Sequence, residues 1–339
     1  MEFIPFSELH ITAATSLLVS QNKDLLLRFP LLPKRIAEFN AARDFLFALL
    51  QKPDSHGMII EENGKLTAFM LGSYNENPFF GRHCWVPFGG IGLPTSNIPQ
   101  VFRLLYAASG SQWMQDGVLN HYLVCPDIPA WQQAAFSLSF GQEQAYAVAS
   151  LQNPCEEPPI PPGIEIRSVI PEDADQLFAN GHWIAVHLNK SPVWEPVPHQ
   201  HLDAILPEYA KLANDDTSTT LVAVEGKKIV GYVVLYTVDI GPDHLLGVPS
   251  AGEFAAAAID PSYRKRGVGR ALFTRLINEA RQQKYETLFT DWRTTNLAAA
   301  SYWPGFGFET FAYRLLRRVN PRYLPYMENG EIGAESWSI

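Results

Sequence analysis

The sequence predicts an α/β (α+β) protein built from two tandem modules, and three observations carry that expectation. Residues 254–283 read as strand, glycine-rich turn and helix: an apolar run Phe254–Ile259, then Arg264-Lys265-Arg266-Gly267-Val268-Gly269-Arg270, then a helix-like run Ala271–Gln283. A β-hairpin pattern occurs once in each half of the chain. A proline-rich stretch, 154–163, divides the 339 residues nearly equally, and a chain of this length favours two cores over one.

The first module is expected over 1–153. Met58–Leu71 forms two apolar runs around Asn63-Gly64, a strong tight-turn pair. Trp131–Leu138 reads as an alanine-rich helical segment, followed by Phe140-Gly141-Gln142-Glu143. The linker carries Pro154, Pro158, Pro159, Pro161 and Pro162, which stiffen the chain and exclude regular pairing. The second module is expected over 164–319, with a tail at 320–339. Ile164–Val169 alternates as a first strand. Pro171-Glu172-Asp173-Ala174-Asp175 opens a helix with acids in its first turn. Residues 178–194 and 201–212 give further helical or loop pieces. Leu221–Leu235 is a hairpin around Gly226, and Thr287–Asp291 is a strand. Leu297–Trp303 is helical, and Phe306-Gly307-Phe308-Glu309 echoes the motif after Trp131–Leu138. Placing Leu93-Pro94 on Asp260-Pro261 and Phe102 on Phe273 leaves no arginine or glycine between Thr95 and Val101. The first module is therefore read as a degenerate copy that lacks the glycine-rich turn.

Lys plus Arg number 26 and Asp plus Glu 35, and this balance of −9 argues against general affinity for nucleic acid. Cys84, Cys125 and Cys155 are odd in number, widely spaced and without a C-x-x-C, as expected of reduced thiols in the cytoplasm. The N-terminus lacks a basic region before its apolar patch, so no signal peptide is expected, and no apolar run reaches membrane-spanning length. His199-Gln200-His201 has no third ligand in view, so no metal is expected.

A helix N-terminus presents unpaired N–H groups and a partial positive charge, and glycines let a diphosphate approach the backbone. Arg264, Lys265, Arg266 and Arg270 add charge around it. A dinucleotide fingerprint would need a third glycine where Leu272 stands, which weakens a dehydrogenase reading, and no Walker string occurs. What remains is R-x-x-G-x-G. Further on, Asn296-Leu297-Ala298-Ala299 is followed by Tyr302-Trp303 and Gly307-Phe308. In this pair of motifs, and in the helix and strand between them, the chain resembles the GNAT superfamily of acyl-CoA-dependent N-acyltransferases. The tandem layout with a decayed first copy is similar to that of mycothiol synthase, in architecture only.

The resemblance implies a twisted, mixed, mostly antiparallel sheet with flanking helices in each module. It also implies acetyl-CoA as cosubstrate and a small-molecule or peptide amine as acceptor. It places the cofactor on Ala257, Ala258, Ile259, Arg264, Lys265, Arg266, Gly267, Val268, Gly269, Arg270, Asn296 and Trp303. The four alanines Ala255–Ala258 would let the pantetheine arm lie along a strand and pair with its backbone. Asn296 would touch that arm or cap the following helix. Glu253 is the expected general base, with Glu225 and Asp239 as rivals. Tyr302 is the candidate acid, although the family's acid position falls at Trp303, read here as a wall of the cleft. Asn180, His182, Trp183, His187 and Trp194 fall where the family builds acceptor loops. A non-catalytic acyl-CoA-binding or regulatory protein is the alternative.

Overall fold

A computed structural model describes residues 1–153 and 155–323. Pro154 of the expected linker, and 324–339 of the expected tail, lie outside the described residues.

The chain forms two compact units. In chain order the elements are β1 (Glu2–Pro5), α1 (Ile11–Arg28), α2 (Phe39–Leu50), β2 (Ser55–Glu62), β3 (Lys65–Asn77), β4 (Gly81–Val86), β5 (Ile91–Gly92), α3 (Ile98–Gln115), β6 (Asn120–Pro126), α4 (Pro129–Ser137) and β7 (Gly141–Ser150). There follow β8 (Ile164–Ser168), α5 (Ala174–Asn180), α6 (Trp183–Leu188), α7 (His199–Lys211), β9 (Ser218–Glu225), β10 (Lys228–Thr237), β11 (Ala251–Ile259), α8 (Val268–Gln282), β12 (Thr287–Arg293), α9 (Leu297–Tyr302) and β13 (Glu309–Arg318).

Unit 1 holds the ladder β1-β2-β3-β4-β6-β13, antiparallel except for β4 beside β6. Unit 2 holds β8-β9-β10-β11-β12-β7, antiparallel except for β11 beside β12. The two ladders share one pattern: a hairpin first, then a parallel pair, then an antiparallel closing strand. In unit 1 the counterpart of β11 is broken into β4 and β5 by Pro87-Phe88-Gly89-Gly90.

The division of the chain departs from the boundaries expected above. Unit 1 takes 1–30, 34–143 and the described residues from Ala312 onward, whereas unit 2 takes 144–311 with Leu31–Pro33. The closing strand of each sheet thus comes from the other half of the sequence. In unit 1, Arg314 of β13 pairs with Glu143 at 2.5 Å and stacks over Phe80, Trp85 and Tyr122. Arg314 is 6% exposed, so its charge needs these partners. In unit 2, β7 pairs with β12 from Gln144 to Ser150. A strand read alone shows which residues face inward and does not say which ladder it closes.

The linker is also more than a spacer. Within unit 2, Asn278 of α8 donates to the Cys155 carbonyl at 3.3 Å and to the Glu157 carboxylate at 3.0 Å. α8 buries Val268, Ala271, Leu272, Phe273, Thr274, Leu276, Ile277 and Ala280 along one face. Each large apolar side chain there contributes roughly 1.5–3 kcal/mol by leaving water. Leu272, where a dinucleotide site would need glycine, is fully buried in this face.

Candidate active site

α8 begins without a side-chain cap. Gly267 stands at its N-cap with φ +88°, and Lys265 with φ +61°. Successive left-handed and right-handed residues turn backbone N–H groups toward one concavity, which suits an anion. The charged side chains around it are exposed but held. Arg264 Nε donates to the Ile259 carbonyl at 3.3 Å, Arg266 lies over Tyr263 at 4.7 Å, and Arg270 over Phe306 at 5.8 Å. Val268 is buried to 1%, so it can serve a ligand only through its backbone. Asp260 fixes the entry to the turn, accepting from the Ser262 N–H at 2.9 Å and from Lys228 at 2.7 Å. Desolvation pushes its carboxyl upward, yet the bonds from Lys228 and Ser262 prevail and hold it at about 2.

β11 leaves β12 after Glu253: the parallel register covers only Ala251–Thr287, Gly252–Leu288 and Glu253–Phe289. On the other side β11 stays paired with β10 as far as Ile259. The Asp260 N–H donates to the Val230 carbonyl, so the alternation of an antiparallel ladder turns Ala258 toward β10 and Ala257 and Ile259 toward the open edge. This corrects one expectation, because Ala258 spends its backbone on β10 and its side chain in the core, 7% exposed. The open edge runs into the glycine turn. A Cβ placed on Gly269 would meet Ile259 Cγ1 at 3.5 Å and the Tyr302 hydroxyl at 3.8 Å. The strand edge, the start of α8 and the tyrosine therefore border one space, and its amide edge and basic turn fit a pantetheine arm and diphosphate.

Of the adjacent aromatic pair, Tyr302 borders the glycine turn and Trp303 is buried. Trp303 is 8% exposed and packs on Phe254, Phe273 and Phe308, so it is a core residue and not a wall of the cleft. Trp303 is itself right-handed helical, so α9 keeps its turn up to that residue, and a 3₁₀ turn carries the chain on from Trp303 to Phe306. Burial raises the Tyr302 phenol, against the opposing charge of Arg270, and keeps it protonated. Asn296 caps α9, accepting from the Ala299 N–H at 3.3 Å, and its same oxygen lies 3.2 Å from His187 Nε2.

Glu253 lies in register with Tyr236 on one side and Phe289 on the other. Its residue surface is open, but neighbouring protein atoms crowd the carboxyl. Desolvation chiefly raises its pKa; the Asp291 and Asp239 charges add to the rise, and His244 opposes it. His244 sits 3.2 Å from Asp239 and 3.6 Å from Asp243. The rival Glu225 is elsewhere. It pairs opposite Lys228 at the start of β10, eight positions from Tyr236 and so about 26 Å along the strand, and it accepts from Tyr263 at 2.5 Å. Among the expected acceptor residues, Trp183 stacks on Tyr232 against the core, His182 contacts the Ala179 carbonyl at 2.6 Å, and Trp194 is 69% exposed. Among the described residues, no three His, Cys, Asp or Glu side chains are grouped to hold a metal ion.

The sequence reading missed Asp291 as a neighbour of Glu253, and also the pair of Arg293 with Glu195. Strand alternation could have placed Asp291 and Arg293 on one face, but not beside Glu253. It also missed Gln21. In unit 1 the edge of β5 turned away from β3 is met by this side chain, whose amide donates to the Ile91 carbonyl at 3.2 Å and accepts from the Leu93 N–H at 3.0 Å. Gln21 thus takes up the edge that β11 leaves open in unit 2.

Known proteins share the fold and the signature of the second half. Residues 185–308 match the Acetyltransferase (GNAT) family. A stretch of 57 residues is 37% identical to the [ribosomal protein bS18]-alanine N-acetyltransferase of Escherichia coli K12, covering 17% of this chain and 38% of that relative's length. A GCN5-related N-acetyltransferase from Sphaerobacter thermophilus superposes with a TM-score of 0.60 at 14% identity, over 93% of this chain and 95% of that one. A tandem GNAT protein from the clavulanic acid biosynthesis pathway superposes with a TM-score of 0.51 at 12% identity, over 94% and 98%. The protein has the fold of the GNAT superfamily in a tandem layout, and its second half carries the superfamily's sequence signature.

Proposed function

We propose that unit 2 transfers an acetyl group from acetyl-CoA to the primary amine of a small molecule or peptide. The observation that carries this reading is the edge of β11 at Ala257 and Ile259 that no strand covers, which leads from Glu253 to the glycine turn at the start of α8. The N–H groups of Val268, Gly269 and Arg270, with Arg264, Lys265 and Arg266, would hold the diphosphate, and the β11 edge would hold the pantetheine amides. Acetyl-CoA supplies the acyl group as a thioester.

An alkylammonium has a pKa near ~10.4, so freeing its lone pair at neutral pH costs roughly 4–5 kcal/mol. Glu253, desolvated and next to Asp291, is a stronger base than an ordinary carboxylate. It accepts the ammonium proton as the amine nitrogen bonds to the acyl carbon. The carbon–sulfur bond breaks, and the proton still carried by the nitrogen passes through solvent to the departing thiolate, giving the amide and free thiol. The Tyr302 hydroxyl, beside Ile259 and Gly269, lies six positions of β11 from Glu253, about 20 Å along the strand, and so borders the diphosphate end of the site. The carboxylates around Glu253 favour a cationic acceptor over an anionic one. The test is release of free thiol from acetyl-CoA with a panel of primary amines. CoA binding by calorimetry with no release for any amine would replace transfer by a binding role.

A further inference from the structure

Three side chains stand on one face of the unit 2 sheet. Glu253 is opposite Phe289, and Asp291, two residues further along β12, shares that face. Tyr146 of β7 is directly opposite Asp291, where cross-strand Cβ atoms lie about 4.5–5.5 Å apart. Two residues beyond, Gln144 is opposite Arg293 and accepts from its guanidinium at 2.5 Å. Arg293 also pairs with Glu195 of the loop after α6. That cluster closes one end of the face, since Gln144 is 8% exposed and the Arg293 side chain 10%. Tyr146, half-buried, stands between the closed end and Glu253.

We propose that Tyr146 is a specificity-determining residue of the acceptor site, so that the last strand of the first half completes the substrate pocket of the second. This rests on the acyl-transfer reading of Glu253. An amine that brings its ammonium group to Glu253 sets the carbons next to it against the Tyr146 ring. An aromatic face attracts both a cation and the apolar carbons attached to it. The acceptor class is therefore a primary alkylamine with an apolar segment beside the reacting nitrogen. Nothing in the motifs of the second half signals this residue, because it lies 107 positions before Glu253, counting from 146 to 253.

The test uses the full chain with a panel of primary alkylamines, reading kcat and KM by thiol release and CoA affinity by calorimetry. Tyr146→Val, which suits a strand, is expected to raise KM for the preferred amine about tenfold. It is expected to reorder the panel while leaving CoA affinity and the acidic limb of the pH profile in place. Tyr146→Phe keeps the ring and is expected to stay within about threefold of the parent. If Tyr146→Val does not fold, Tyr146→Trp narrows the site and must move the preference toward smaller amines. Variants that melt and bind CoA like the parent, yet keep its KM and order of preference, overturn the proposal and leave acyl transfer standing. A parent chain that binds CoA but acylates no amine overturns the transfer reading itself, and this proposal with it.

Discussion

Gly269→Ala separates stability from cofactor binding at one atom. Gly269 is the second residue of α8 and lies outside the left-handed region, so an alanine there is unstrained. Its methyl would touch Ile259 Cγ1 at 3.5 Å and the Tyr302 hydroxyl at 3.8 Å, which are ordinary contacts. In the helix interior glycine costs about 1 kcal/mol against alanine, and less in the first turn. The variant should therefore melt no lower than the parent, and up to about 3 °C higher, since roughly 1 kcal/mol moves the midpoint of a domain of this size by ~2–4 °C. The same methyl fills the space bordered by the strand edge, the tyrosine and the helix start. Losing one charge-assisted hydrogen bond from backbone to diphosphate costs about 1.5–3 kcal/mol. CoA affinity should thus fall roughly 10- to 100-fold. Calorimetric titration with CoA and a melting curve on the same sample decide it. A variant with parental stability and parental affinity would refute the placement of the diphosphate at the start of α8. Gly267 makes a poorer probe, because its φ of +88° strains any side chain and mixes folding with binding.

Five further outcomes are expected. Glu253→Gln should abolish most turnover at unchanged CoA affinity. Asp291→Asn removes a charge that raises the Glu253 pKa, so the acidic limb of the rate profile should move to lower pH; a limb that stays put or rises excludes Glu253 as the titrating base. Tyr302→Phe should slow turnover less than Glu253→Gln does, because its hydroxyl stands beside Gly269 and a thiolate with a pKa near ~8.5 needs less help than an ammonium near ~10.4; Trp303→Leu should instead lower the melting temperature, as its ring packs on Phe254 and Phe273. Single-site CoA stoichiometry should hold for the full chain because Gln21 covers the β5 edge in unit 1, and two equivalents bound at similar affinity would contradict that role.

Much of unit 2 is legible in the chain because its information is local. The turn at Arg264–Arg270 needs glycine where φ is positive, the hairpin turns at Asn63-Gly64 and Gly226 need left-handed residues, and Asn296 caps the helix it precedes. Each requirement acts within a few residues, so the sequence by itself determined the paired hairpins, the anion-binding turn and the resemblance that follows from them. The tertiary structure alone decided three things that depend on residues far apart. β7 and β13 close each other's sheets, since alternation tells a strand which face to bury but not which neighbour to join. Trp303 packs into the core on Phe254 and Phe273, and Tyr302 is left beside Gly269. Asp291 and Tyr146 came to one face with Glu253 only through the registers of β11, β12 and β7, and a desolvated base acquires its strength from such neighbours, which lie close in space while far apart in sequence.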